Sequence, residues 1–126
     1  MGQSFKDLIV WQRAIELTFA IYKLTAGFPE TERYGLSDQV RRAAVSIASN
    51  ISEGYGRSTS GEYALFLGHA RGSVCEVQTQ LVIAAGLGYG SDQTRAHAEK
   101  LAADVSRMLN ALLISVKQRK SIRGAH

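Results

Sequence analysis

Cysteine and proline are almost missing from this chain, with one of each in 126 residues. A single cysteine, Cys75, excludes an intramolecular disulfide and any zinc site built from clustered cysteines. Long apolar runs are also missing. The longest, Leu81 to Tyr89, is nine residues with two glycines inside it, too short to cross a bilayer, so no membrane partner is expected. Met1 to Asp7 lacks a basic region followed by an apolar one, and a cytoplasmic protein without a leader is the expectation. No segment alternates with period two for long enough to make a strand. A net excess of either charge is absent from most of the chain as well. The formal net charge is +4, but the last ten residues hold Lys117, Arg119, Lys120 and Arg123 and no acid, so the rest is neutral.

What remains is an ordinary globular balance, 45% hydrophobic and 21% charged, in a length suited to one domain with one core. Glycines and the single Pro29 fall mostly between periodic segments, and inside the segments the apolar spacing is helical. The first offers two adjacent stripes, Leu8, Trp11, Ile15, Phe19 and Tyr22 beside Val10, Ala14, Leu17, Ile21 and Leu24. Ser4 and Asp7 resemble a capping box at its start, and Gly27 and Pro29 end it. The second carries Leu36, Val40, Ala43, Ile47 and Ile51, after a short helical turn at 30–34. The third follows Thr59 and Glu62, again at capping-box spacing, and carries Tyr63, Leu67, Ala70, Val74 and Leu81. The fourth starts at Ser91 or Asp92 and carries Leu101, Val105, Leu109, Leu112 and Val116. Four helices with short connections predict an all-α, antiparallel up-down-up-down four-helix bundle over residues 1–120, with a basic C-terminal tail at 121–126.

The third segment is short of charge. Only Glu62, Arg71 and Glu76 are charged between 61 and 87, whereas the fourth has nine charges between 91 and 120. Opposite the third segment's core stripe lie Gly68, Gly72, Cys75 and Thr79. Each mid-helix glycine costs about 1 kcal/mol relative to Ala, so close approach by a neighbour, most simply a second copy of the chain, is expected there. On the second helix Gln39, Arg42, Ser46, Asn50 and Glu53 fall within about 80° of arc at 100° per residue. Glu62, His69, Ser73, Glu76 and Gln80 make a similar seam on the third. A half-buried network is expected, with Arg42 bonded to Glu76 or Glu53. The alternative is an aligned but solvated surface.

Most enzyme chemistry is unsupported. No Glu has a His three residues on, as a di-iron bundle requires. The glycine-rich run Gly54 to Gly61 lacks Gly-Lys-Ser/Thr, so it is not a P-loop, although its amides and Arg57 suit an anion. Gly86, Gly88 and Gly90 follow a helix rather than a strand, and Cys75 has no evident base. No enzyme and no cofactor or metal are expected.

The run Phe5, Leu8, Val10-Trp11-Gln12, Ala14, Leu17, Tyr22 resembles the opening of the 23S ribosomal RNA intervening-sequence proteins, a bacterial four-helix-bundle family. Phe28-Pro29, Glu32, Tyr34-Gly35-Leu36, Gln39, Arg42-Ala43-Ala44, Ser46-Ile47, Asn50-Ile51, Glu53-Gly54 and Gly56-Arg57 match its signature closely. Glu62, Phe66-Leu67, Ala70, Gly72-Ser73, Glu76 and Thr79-Gln80-Leu81 continue it. Ser52 is a mild departure, standing where a small apolar residue is usual. The resemblance implies a homopentamer, a ring-type homo-oligomer. The accessory variability proteins of diversity-generating retroelements are similar, and they bind nucleic acid and a reverse transcriptase. No catalytic residues carry over.

Two functions follow. One is a non-enzymatic oligomeric module that contacts RNA or DNA backbone through basic surfaces: Arg13, Lys23, Arg41, Arg57 and Arg71 repeated around a ring, with Lys117, Arg119, Lys120 and Arg123 in the tails. The other is a scaffold that docks a partner protein, such as a reverse transcriptase, without touching nucleic acid. The tail itself has a plainer reading as a helix end whose cations suit the dipole.

Overall fold

A computed structural model describes residues 4–124, with side chains to Arg119. It is all-helical among those residues. Helix α1 spans Ile9–Thr25, α2 Leu36–Tyr55, α3 Ser60–Leu87 and α4 Asp92–Gly124, with single 3-10 turns at Phe5–Asp7 and Glu30–Glu32. Each helix packs on the next and α4 closes back on α1, while the diagonal pairs make no close approach. The result is a four-helix bundle with the expected order of neighbours.

The ends of the helices follow local chemistry. The Ser4–Asp7 capping box forms, but it closes the 3-10 turn rather than α1. The turn stops at Leu8, whose backbone is extended, and α1 begins at Ile9 without a side-chain cap. The Thr59 hydroxyl accepts from the Glu62 amide at 3.1 Å and so opens α3. Gly88, at φ +72°, closes α3 in the left-handed conformation, with the Tyr89 amide donating back to the Ala84 carbonyl at 2.9 Å. Ser91 caps α4 by accepting from the Thr94 amide. That helix continues through Gly124, so no break in backbone structure separates a bundle from a tail at residue 120.

The core gathers Leu17, Ile21, Leu24, Ile47, Ile51, Leu67, Val74, Val77, Leu81, Val105 and Leu109, each almost free of solvent contact. Fully burying such a side chain contributes roughly 1.5–3 kcal/mol, which makes this layer the main source of stability. Of the two stripes on α1, the one holding Val10, Ala14, Leu17, Ile21 and Leu24 is the core. The other turns outward along its length, to 69% exposure at Phe19 and 46% at Tyr22. A 17-residue helix wedged between two neighbours cannot bury both stripes. Close to the α2–α3 connection the two helices nearly touch. A Cβ placed on Gly54 would lie 2.8 Å from Phe66 Cβ, so glycine is what permits that approach.

Candidate nucleic-acid interface

Two ends of the bundle matter. One holds the α1–α2 and α3–α4 connections. The other holds the N-terminus, the α2–α3 connection and the last turns of α4. At the second end the Arg57 guanidinium lies over the Phe66 ring at 4.5 Å, Tyr55 and Tyr63 meet edge to face, and Phe66 meets His69 edge to face. Burial pushes the Tyr63 phenol above its usual value, and the positive charge of Arg119 offsets part of that rise. Arg57, Lys117 and Arg119 are all exposed, and none of them bonds a carboxylate among the described residues. The side chains of Lys120 and Arg123 lie outside the described residues.

The other expected basic positions do not share a site within one chain. Arg13 is tied to Glu16 on its own helix at 3.0 Å. Lys23 lines a groove of about 400 Å³ between α1 and α4 with Gln93, Thr94 and His97. Arg71 is exposed in the middle of α3. Arg41 is half-buried between α1 and α2, with its guanidinium over Tyr22 at 4.7 Å. The pairings of Tyr22 with Arg41, and of exposed Tyr34 with Arg33 at 5.5 Å, were not legible from helical spacing. The first joins residues nineteen apart on different helices, and the second joins chain neighbours in the turn before α2, where helical spacing specifies no ring contact.

The polar seam is only partly what its spacing predicts. Its centre exists: the Ser46 and Ser73 hydroxyls bond across α2 and α3 at 2.9 Å, and the Asn50 amide donates to Ser46 at 3.0 Å. Its charged members do not join. Arg42 donates to Asp38 one turn away on its own helix at 2.9 Å, and its side chain is 80% exposed. Gln39, Glu53, Glu62, His69 and Glu76 are exposed, and neither Glu53 nor Glu76 enters an ion pair among the described residues. The cause is solvation. A long side chain at the rim keeps its charge in water, and an i,i+4 partner is nearer than one on the facing helix. Gln80 is the exception on that seam, buried with its Oε1 unpartnered.

On the outer face of α3, Gly72, Cys75 and Thr79 are exposed and Gly68 partly so. A Cβ on either Gly68 or Gly72 would meet nothing within 4 Å in the single chain. Leu65, Val82, Ile83 and Leu87 are exposed on or beside that face. Among the described residues no cluster of His, Cys, Asp and Glu is suited to a metal, and no helix is long and apolar enough to cross a membrane.

By its fold the protein is of the four-helix-bundle class, all-helical among the described residues. The chain belongs to the 23S rRNA-intervening sequence protein family, whose model matches residues 6–111. It is also similar to a solved structure, a protein of unknown function from the S23 ribosomal protein family of Bacteroides thetaiotaomicron VPI-5482. The two share a TM-score of 0.74 at 19% sequence identity, over 82% of this chain and 97% of that one. At that identity the likeness speaks for the fold. No curated protein matches the chain.

Proposed function

We infer that this protein is a non-catalytic cytoplasmic module, free of metal and cofactor, that assembles as a ring of identical bundles and contacts the backbone of RNA or DNA. Five copies is the number the family resemblance suggests. The observation that carries the nucleic-acid reading is the set of bases Arg57, Lys117 and Arg119 at one end of the bundle, in no ion pair among the described residues and near Tyr55, Tyr63 and Phe66. Guanidinium and ammonium groups there suit phosphate, and contacts of that kind position a strand without reading its sequence. The uncharged back of α3 supports assembly, because soluble helices normally keep charge on the side that faces water.

Filter binding against salt tests the first part. Retention that falls steeply as salt rises is expected, and truncation after Val116 should weaken it while the bundle still folds. No retention at low salt would favour a scaffold that docks a partner protein instead. Glycine substitutions on α3 test the second part. In an isolated bundle Gly68→Ala and Gly72→Ala each meet open space and should stabilise by about 1 kcal/mol. In a ring packed through this face the same changes should lower the native mass or the melting temperature. Native mass near 13.7 kDa for the unaltered chain at micromolar concentration would end the ring reading.

A further inference from the structure

Arg41 stands apart from the other arginines. Arg13, Arg42, Arg95 and Arg107 each pair with a carboxylate three or four residues away. Arg33, Arg57, Arg71 and Arg119 pair with none but are exposed to water. Arg41 is half-buried and still bonds no carboxylate among the described residues. A charge removed from water calls for compensation, and here the chain supplies only orientation.

That orientation is specific. Arg41 Nε donates to Thr25 Oγ1 at 2.7 Å, and the same hydroxyl donates to the Ile21 carbonyl at 2.8 Å, so a buried residue of α1 fixes the guanidinium. The Tyr22 ring lies against its face at 4.7 Å. The Nη donors have no protein partner among the described residues, and Arg41 lines two adjoining grooves. One, about 460 Å³, also has Arg42 and Ser46 in its wall, and the other, about 240 Å³, has Arg33 and Ser37. The acids nearby are Asp38, already held by Arg42, and Glu30.

We propose that Arg41 is a phosphate-binding residue, and that the α1–α2 groove seats one phosphodiester of a nucleic-acid strand on its free Nη edge. This rests on the nucleic-acid reading above but places a contact at the opposite end of the bundle from Arg57 and Arg119. A planar fork with one nitrogen anchored and its face stacked has little freedom left to lose on binding, which suits it to phosphate better than a mobile surface lysine.

The test is fluorescence anisotropy of the full chain with a fluorescein-labelled twelve-nucleotide oligouridylate across a salt series. Arg41→Gln should weaken binding about tenfold and reduce the salt slope by about one. Tyr22→Leu, which keeps apolar bulk but removes the ring beneath the guanidinium, should weaken it about threefold. Lys100→Gln removes the same charge from the exposed face of α4 and should change affinity less than twofold. If Arg41→Gln and Lys100→Gln bind alike while the Val116 truncation binds poorly, the groove is not a phosphate site and the general reading stands. If Arg41→Gln lowers the native mass, the guanidinium instead faces a carboxylate of another copy, and the proposal falls. If the unaltered chain does not bind the probe, both readings fall.

Discussion

The two ends of this bundle are built in opposite ways. At the end holding the α1–α2 and α3–α4 connections, side chains tie the loops to one another. Tyr89 donates its hydroxyl to Glu32 at 3.0 Å, and the other oxygen of Glu32 accepts from the Leu36 amide at 3.0 Å. Arg95 donates to the Tyr89 carbonyl at 2.9 Å, and Phe28 packs against the Tyr89 ring. Three separate stretches of chain meet there. At the other end the α2–α3 connection makes no such tie among the described residues, and its one base, Arg57, is exposed and lies over the Phe66 ring. Carboxylates at the closed end are mostly taken up by internal bonds, whereas Arg57, Lys117 and Arg119 at the open end pair with no carboxylate among the described residues. The difference separates an end whose connections are tied to one another from an end whose bases stand in water, although Arg41 at the tied end is anchored through its Nε alone.

The largest expected effect comes from breaking the closed end through its backbone. Gly90 sits at φ +74°, and a Cβ there would lie 2.4 Å from Leu24 Cδ1 in the core. Gly90→Ala should therefore combine left-handed strain with displacement of a buried leucine, about 3 kcal/mol in all. Gly88 has φ +72° but open space around it, so Gly88→Ala should cost only the strain, about 1 kcal/mol. Urea unfolding of the two variants separates packing from backbone conformation. Equal losses would mean that Leu24 moves aside freely and the latch is not tightly packed.

A second comparison uses one tyrosine from each end. Both phenols are held above the ordinary value of 10.0, Tyr89 chiefly by its hydrogen bond to Glu32 and Tyr63 chiefly by burial. A raised folded-state value means that the neutral phenol favours the fold. That contribution is complete below the unfolded value and is lost as pH rises through the folded one. Stability should thus decline from roughly pH 10 upward. Tyr89→Phe should flatten part of that decline by removing a phenolate that would face Glu32, and Tyr63→Phe should flatten a different part. Denaturation midpoints between roughly pH 8 and 11.5 check this, and an unchanged slope in Tyr89→Phe would show that the Glu32 contact is not maintained in solution.

Helical spacing and glycine punctuation are enough to place the four helices, because burial on one face imposes a 3.6-residue period on any helix. The same period failed on α1, where two stripes looked equally apolar and only the packing of α2 and α4 decides which is inside. It also missed Glu32 with Tyr89 and Tyr22 with Arg41, since pairs between elements leave no periodic trace. The α3 glycines were legible as an anomaly, yet a single chain leaves their neighbour open. Of the basic positions, Arg57 and Arg119 do come to one end, while Arg13 is consumed by Glu16, a pairing visible in the sequence as an i,i+3 spacing.

The smallest expected effect concerns Arg42, whose position in a narrow polar arc suggested a buried ion pair with Glu76 or Glu53. Had it been one, removing a partner would cost about 3–5 kcal/mol. Its actual bond to Asp38 joins side chains 80% and 43% exposed, where solvent screens the attraction and the side chains lose rotamer freedom to hold it. Arg42→Ala should therefore change unfolding free energy by no more than about 0.5 kcal/mol. Ser46→Ala, at the seam's centre, removes the partner of both Ser73 and Asn50 and should cost about 1 kcal/mol. The order of these two is the informative quantity. If Arg42→Ala proved the more damaging, its charge would have to be engaged in solution by a partner that the single chain lacks, and the back of α3 with its neighbouring Glu76 would be the first place to look.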